Sequence, residues 1–206
     1  KKCLMEGIEN ISLKDVEISN KLNFRIKLLG ISEIVDGRLF ERVHPCLVNK
    51  DSYIGNVNGV MNAVITEGEP VGESVLQGEG AGPGPTSSAL MSDLLSILRG
   101  NIKFPFGIPN IKRKSIKVFN YDNYINSLYL RFEVKDKPGV LAQITNRLAL
   151  KNISVERLIQ IPNYKNKTAS IVIITHKSKE LDAQHCINAI SKSKNILKHP
   201  TLIRLL

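Results

Sequence analysis

The 206-residue sequence predicts an α+β fold in which a mixed β-sheet segment is followed by a unit of element order βαββαβ. Short runs in which apolar and polar residues alternate have the periodicity of strands, and longer runs with apolar residues three or four positions apart have that of helices. Clusters rich in glycine, proline and asparagine separate these runs and mark turns. The pattern predicts a first segment over residues 1–100, a linker over residues 101–126 and a second domain over residues 127–206.

The first segment opens with a helix and continues as strands. Ser12 can cap a helix that runs to about Leu22, because the acidic Asp15 follows it three residues later. Phe24–Leu28 alternates as a strand, and Asp36-Gly37 predicts a hairpin turn. A second strand pair is predicted at Met61 to Thr66 and Val71 to Leu76. Up to about residue 77 we therefore expect most of a mixed sheet with a covering helix.

A glycine-rich loop follows this strand pair and precedes apolar residues at helical spacing. It contains Gly78, Gly80, Gly82 and Gly84. Bare backbone in such a loop can approach a flat or anionic ligand closely. The loop is not the usual dinucleotide fingerprint, since Pro83 or Pro85 stands at the position of the third glycine. From the glycines alone, a loop that only turns the chain is an equal alternative.

Several motifs in a fixed order indicate the context of this loop. They are Glu6–Ile11, Arg25–Ile31, Arg42–Val48, Val57–Val64, Gly80-Ala81-Gly82 and Pro85–Ala89. Together they resemble the C-terminal half of homoserine dehydrogenase, over about Glu6 to Leu98. The resemblance implies an oxidoreductase that interconverts homoserine and aspartate semialdehyde with a nicotinamide cofactor, NADP or NAD. Its product would feed threonine, methionine and isoleucine biosynthesis.

The resemblance also assigns parts to residues of the loop. It implies that Gly80, Ala81 and Gly82 approach the nicotinamide side of the cofactor, with Thr86 nearby, and that residues 77–100 pack toward a nucleotide-binding domain. In the family, that domain and the catalytic aspartate and lysine come earlier in the chain. The sequence begins at Lys1 and contains no G-x-G-x-x-G loop. We therefore expect no catalytic residue in this chain and no dehydrogenase activity from the chain alone.

Residues 127–206 predict the βαββαβ order of a ferredoxin-like layer. The predicted strands are Ser127–Val134, Ile153–Ile161, Ala169–Thr175 and Leu202–Leu206. The first helix is predicted from Val140 to near Asn152, and the second is marked by Leu181, Ile187, Ile190 and Ile196.

The turn between the first strand and helix of this layer carries a second resemblance. Val134–Ile144, with Asn152–Gln160, resembles the ACT domain, an amino-acid-sensing module, over about Ser127 to Leu206. The N–H groups of Gly139 and Val140, where the helix begins, can bind the carboxylate of an amino acid. Asp136 and Gln160 can bind its polar groups, and threonine, as a pathway end product, is the favoured effector. The alternative is that Asp136 and Gly139 only form the turn.

Composition limits the other functional classes. The net charge of +10 could indicate nucleic-acid binding, and Lys112-Arg113-Lys114 with Lys117 is the densest basic cluster. However, the lysines are spread among nineteen acidic residues and no aromatic platform accompanies them, so we expect no nucleic-acid partner. The cysteines and histidines show no metal-ligand spacing, and no long apolar run is present, so we expect no metal site, no membrane association and a cytoplasmic location.

Two functions fit these observations. The first is part of homoserine dehydrogenase, with feedback regulation through the ACT domain. The second is a stand-alone amino-acid-sensing protein, in which the first segment serves only as a dimerising sheet. Both imply self-association into a homo-oligomer, because the apolar strands around Phe24–Ile31 and Met61–Leu76 leave sheet edges to be covered.

Overall fold

The computed structural model describes residues 3–100, 107 and 109–206. These residues form two compact units, the first built from residues 1–50 and 116–206 and the second from residues 51–115. Residues 116–126, which the sequence places in a linker, therefore pack within the first unit. Residues 101–106 and 108 of the predicted linker lie outside the described residues.

The helices and strands follow the predicted order along the chain. The strands are β1 (Leu4–Met5), β2 (Phe24–Val35), β3 (Arg38–Asn49), β4 (Met61–Gly68), β5 (Gly72–Glu79), β6 (Ile125–Asn126), β7 (Leu128–Lys135), β8 (Val155–Asn163), β9 (Thr168–Thr175), β10 (Ser178–Lys179) and β11 (Thr201–Leu205). The helices are α1 (Leu13–Lys21), α2 (Tyr53–Asn56), α3 (Pro83–Leu98), α4 (Val140–Ala149) and α5 (Glu180–Ser191). The predicted capping box of α1 is present, since Ser12 and Asp15 exchange hydrogen bonds with each other's backbone.

A seven-stranded mixed sheet organises the first unit. Strands β11, β7, β9 and β8 lie side by side in the antiparallel order expected of a ferredoxin-like layer. The sheet continues beyond β11, because β3 pairs with β11 in parallel at Cys46 and Leu47. On the same edge as β11, β1 pairs with β3 at Arg42 and Val43. The other edge of β3 pairs with β2 along its whole length. The first segment and the βαββαβ unit therefore share one sheet.

Helices cover both faces of this sheet. On one face, α4 and α5 bury apolar residues against the even-numbered side chains of β7, from Leu128 to Val134. On the other face, Ile18 of α1 packs with Tyr129, Val172 and Ile203. Because side chains alternate along a strand, the two layers use opposite sides of the same strands. The α+β fold class is confirmed.

A buried ion pair attaches α1 to the sheet. The Arg131 guanidinium donates to both carboxylate oxygens of Asp15, with 2.8 Å between Nη2 and Oδ2. Asp15 is fully buried, and it also accepts a hydrogen bond from the Tyr129 hydroxyl at 3.1 Å. Arg131 further donates to Glu133 Oε1 at 2.6 Å and to Ser12 Oγ at 3.1 Å. The charges are thus compensated where water is excluded, as buried ions require.

The second unit contains α2, β4, β5 and α3. Strands β4 and β5 form a two-stranded antiparallel sheet of their own. The expectation that Met61–Leu76 joins the mixed sheet is therefore wrong, although the strands themselves form where predicted. Their alternating pattern indicates a strand but does not identify its partner. The glycine-rich loop connects β5 to α3, as the sequence predicts.

Arg131→Met should lower the free energy of unfolding by about 3–5 kcal/mol, because it leaves the buried Asp15 carboxylate without its partner. Urea unfolding followed by circular dichroism measures the change. Arg157→Met is the matched control, since the Arg157 side chain is 54% exposed and pairs only with Glu156 at 3.5 Å. The control should change stability by under about 1 kcal/mol. Equal effects of the two substitutions would contradict the assigned role of Arg131.

The same ion pair should make stability depend on pH. Burial raises the pKa of Asp15, but hydrogen bonds from Arg131 and Ser12 outweigh it, and the pKa lies below its ordinary value. A lowered folded-state pKa contributes stability that is present above the unfolded value of about 4 and is lost as the pH falls through the folded value. The free energy of unfolding should therefore decline below about pH 4.

Asp15→Asn should flatten this acid limb, because the amide side chain cannot take up the proton. The slope of the unfolding free energy against pH is the quantity to compare, since Asp15→Asn also lowers its absolute value. Glu17→Gln, at an exposed position of the same helix, should keep the wild-type slope. A wild-type slope in Asp15→Asn would show that other groups dominate the acid sensitivity.

Candidate functional site

The predicted effector residues surround one cavity. Asp136, Gly139, Val140 and Gln160 all line a space of about 420 Å³ at the end of β7. The Gln160 Nε2 donates a hydrogen bond to Asp136 Oδ1 at 3.3 Å, which joins the turn before α4 to strand β8. Gly139 has a φ of 84° and a Cβ there would meet no atom, so backbone conformation rather than space favours glycine.

The donors at the start of α4 differ in part from those predicted. The Val140 N–H already donates to the carbonyl of Lys137 at 3.3 Å within the turn. The first hydrogen bond of the helix runs from the Gln143 N–H to the Gly139 carbonyl at 2.9 Å. The Leu141 N–H belongs to the first turn, which has no partner inside a helix, and Leu141 lines the cavity. Leu141 is therefore a better placed donor than Val140.

The residues that form the walls of this cavity were not predicted from the sequence. The buried side chains of Val134, Val140 and Ile171 form an apolar wall, and Lys135 and Lys137 lie beside Asp136. Ile171 comes from β9, the neighbour of β7 in a ferredoxin-like layer, so the strand order was the signal that could have identified it. An apolar wall next to a carboxylate, two ammonium groups and a helix N-terminus fits a small amino acid.

A second cavity lies where the first segment meets β11 and α5. Its volume is about 240 Å³, and it is lined by Glu6, Asn10, Gln184, Ile187, Asn188, His199, Pro200, Leu202 and Arg204. Arg204 is buried and donates to Glu6 Oε2 at 2.6 Å and to Glu180 Oε1 at 2.7 Å. Burial lowers the pKa of Arg204, but the bonds to both carboxylates outweigh it and raise that pKa. The glutamate of the Glu6–Ile11 motif thus serves as a structural partner of the last strand.

The glycine-rich loop places Gly80, Ala81 and Gly82 between β5 and α3. The Gly80 N–H donates to the Val60 carbonyl at 2.9 Å, and a Cβ at Gly80 would collide with the side-chain amide of Asn62. Gly82 has a φ of 126°, which L side chains rarely adopt. The backbone conformation therefore favours glycine at Gly82, whereas a side chain at Gly80 would require the Asn62 amide to move. Asn62 was not predicted, because cross-strand contacts leave no local signal.

The start of α3 is poor in hydrogen-bond donors. Pro83 and Pro85 have no N–H, and the Thr86 N–H donates to the Gly82 carbonyl at 3.2 Å. Within the first turn, only Gly84 keeps an N–H outside the helix ladder. Phosphate sites at helix N-termini depend on several such groups. Within its first turn, α3 therefore offers fewer donors than such sites commonly use.

The helix that follows exposes its apolar face. No residue of α3 is buried, and its large exposed side chains are Leu90, Met91, Leu94, Leu95, Ile97 and Leu98. An apolar face of this length on a single helix marks a surface that another element covers. This agrees with the expectation that residues 77–100 pack toward a nucleotide-binding domain, which stays a prediction.

His44, in the Arg42–Val48 motif, is followed by a proline within a strand. It lies in the middle of β3 and is almost fully buried. Pro45 fits there because it falls in the gap between the β1 pairing, which ends at Val43, and the β11 pairing, which begins at Cys46. Burial lowers the pKa of His44, and burial raises that of Cys46 to about 11. Both side chains are neutral core groups.

In the part of the chain that the structure describes, no cluster of three or more histidine, cysteine or carboxylate side chains is suited to hold a metal ion. Over the same residues, no helix combines the length and apolar character needed to cross a membrane.

Comparisons with known proteins agree with this geometry. Residues 1–95 match the homoserine dehydrogenase family model, and residues 128–194 match the ACT domain model. Homoserine dehydrogenases of Neisseria gonorrhoeae and Synechocystis are 36% and 33% identical to the chain, each over 98% of it and 48% of their own length. The crystal structure of a homoserine dehydrogenase from Thiobacillus denitrificans matches all of this chain and 48% of its own, with 31% identity and a TM-score of 0.85.

The chain thus spans about half the length of the relatives it matches. Those relatives are oxidoreductases, and the fold agrees with the matched region of the Thiobacillus denitrificans enzyme throughout. Residues 1–95 therefore belong to the homoserine dehydrogenase family, and residues 128–194 form an ACT domain.

Proposed function

We propose that this chain is part of a cytoplasmic homoserine dehydrogenase, which interconverts homoserine and aspartate semialdehyde with NADP or NAD in threonine, methionine and isoleucine biosynthesis. The observation that carries the proposal is the match of 98% of the chain to named homoserine dehydrogenases, across both the family segment and the ACT domain. The hydride chemistry would belong to the cofactor, while the protein binds and orients it.

The proposal requires a nucleotide-binding half encoded before Lys1. Reading the coding sequence upstream of Lys1 decides between this function and a stand-alone amino-acid-sensing protein. An open frame encoding a Rossmann half supports the dehydrogenase, whereas a start codon with its promoter at Lys1 supports the sensor. Cofactor-dependent oxidation of homoserine should appear only when the upstream part is present, because in the family the nucleotide-binding half and then the catalytic aspartate and lysine come before the segment that this chain matches.

The glycine-rich loop is proposed to contact the nicotinamide side of the cofactor through Gly80, Ala81 and Gly82, with Thr86 nearby. The backbone is exposed along this loop, so a flat ring can approach it closely. Among the described residues, neither Ala81 nor Gly82 gives its N–H to a hydrogen bond. These two donors are available to a ligand.

The amino-acid site is proposed in the 420 Å³ cavity, with Asp136 and Gln160 binding the polar groups of the effector. The N–H groups of Gly139 and Leu141 are proposed to bind its carboxylate, since Val140 is engaged in the turn. Threonine remains the favoured effector because it is a pathway end product. Feedback follows only if the effector prefers one of two arrangements of the enzyme.

Self-association is proposed to use the two outer strands of the mixed sheet. ACT domains commonly pair side by side through their sheets, but here the β11 edge is already occupied by β3. In the part of the sheet that the structure describes, β2 and β8 are long strands that each pair with one neighbour. Light scattering should detect an oligomer at high micromolar concentration, and a monomer there would count against this arrangement.

Gly82→Val, made in the protein extended upstream by its own coding sequence, should weaken cofactor binding by about tenfold or more. The substituted residue cannot adopt the backbone angle of Gly82, and its side chain blocks close approach. Fluorescence titration with NADPH and with NADH measures the affinity. Gly78→Val is the control, because a Cβ there meets no atom and φ is ordinary. Unchanged affinity in Gly82→Val would remove the loop from the cofactor site.

Calorimetric titration of this chain with threonine, isoleucine and methionine tests the amino-acid site. At least one of them should bind at millimolar concentration, and Asp136→Asn should weaken that binding by about tenfold, because the carboxylate no longer attracts the ammonium group. Asp36→Asn, at an exposed aspartate in the β2–β3 turn, should bind as the wild type does. Absence of binding by all three amino acids would leave the ACT domain as a scaffold.

A further inference from the structure

The wall of the amino-acid cavity and the surface that contacts α1 lie on opposite faces of the same strands. Val134 of β7 and Ile171 of β9 line the cavity. Their chain neighbours Glu133 and Ser170 are paired across these strands and lie on the opposite face of the sheet. There the Ser170 hydroxyl donates to Glu133 Oε1 at 2.6 Å. Only the backbone of these two strands therefore separates the cavity wall from the Glu133–Ser170 pair.

Lys14 of α1 is bound to both members of the pair. Its Nζ donates to Glu133 Oε1 at 3.2 Å and also to the Ser170 hydroxyl. Glu133 Oε1 accepts from Arg131 as well, at 2.6 Å. Burial raises the pKa of Glu133, but the bonds from Ser170 and Lys14 outweigh it and lower that pKa, which keeps the carboxylate ionised. One carboxylate oxygen thus joins the two strands to the first turn of α1.

We propose that Lys14 is a positioning residue that transmits occupancy of the amino-acid cavity to α1. An effector held by Asp136 and by the start of α4 pulls on the end of β7, one to three residues from Glu133. Since three donors share one oxygen of Glu133, a small displacement of this carboxylate changes the distances to Lys14 and Arg131 together. The first turn of α1 then moves or stiffens with the ligand.

The proposed coupling links the cavity to the homoserine dehydrogenase segment, because α1 belongs to that segment. α1 lies within residues 1–95, whereas the cavity and the pair Glu133–Ser170 lie within the ACT domain. The inference rests on the proposed function in one respect, namely that the cavity binds an amino acid. It adds the residue by which that binding is communicated.

Lys14 and Arg131 differ in a way that makes the inference testable. Arg131 is 9% exposed and Asp15 is fully buried, so their pair is needed for folding. The Lys14 side chain is 40% exposed, and its removal should leave the fold intact. Lys21, exposed in the last turn of the same helix, provides a matched control.

Hydrogen exchange of the α1 amides in this chain, with and without millimolar threonine or isoleucine, tests the coupling. In the wild type and in Lys21→Met, ligand should change the exchange rates of residues 13–21 by about fivefold or more. In Lys14→Met the change should fall below about twofold, although calorimetry still detects binding. Unchanged α1 exchange in the liganded wild type, or equal changes in the two lysine variants, would overturn the proposal.

Leu141→Trp keeps the inference testable if none of these amino acids binds. Leu141 lines the cavity from α4, on the opposite face of the sheet from α1, so a larger side chain there perturbs the wall without touching α1. The α1 exchange rates should shift by about fivefold in Leu141→Trp and return toward wild type when Lys14→Met is added. No shift in Leu141→Trp overturns the coupling, while absence of ligand binding separately removes the effector proposal.

Discussion

The burial of Asp15 against Arg131 is the constraint on which the first unit depends. The βαββαβ layer has an apolar face toward α4 and α5, but its other face carries Tyr129, Arg131 and Glu133 along β7. Once α1 covers that face, each charge on it must find a partner or be neutralised, because an isolated buried ion is too costly to keep. The capping box fixes where Asp15 points, and the guanidinium then fixes where α1 lies along the strand.

Local sequence patterns predicted the main helices and strands, but they did not predict which distant strands pair with each other. Ser12 and Asp15 predicted the start of α1, and Asp36-Gly37 predicted the β2–β3 hairpin, since caps and tight turns depend on neighbouring residues. The parallel pairing of β3 with β11 at Cys46 and Arg204 joins residues from nearly opposite ends of the chain. Nothing in either strand's alternation specifies that partner, so the shared sheet could not be predicted.

The cavity around Asp136 shows the same difference between what local patterns predict and what they leave out. Asp136, Gly139 and Gln160 were predicted from a motif, and the structure brings them together around one cavity. The engagement of the Val140 N–H was not predictable, because it depends on the exact path of the turn from Lys137. In the same way, Gly80 was singled out for a ligand, while its nearest constraint is Asn62 on the paired strand. The sequence pattern thus identified the glycines of the loop, but not the neighbouring atoms that limit a side chain there.

The two candidate sites differ in how complete they are, and this difference has a physical origin. The cavity around Asp136 has a wall of buried apolar side chains from its own unit, so the sheet and α4 give it shape. The glycine-rich loop has exposed backbone, and the helix behind it buries none of its leucines. A loop without walls has no low-dielectric environment in which to hold a ring, so it becomes a binding site only when a second surface covers both ligand and helix. The exposed apolar face of α3 therefore marks a surface that another element would have to cover before this loop had walls of its own.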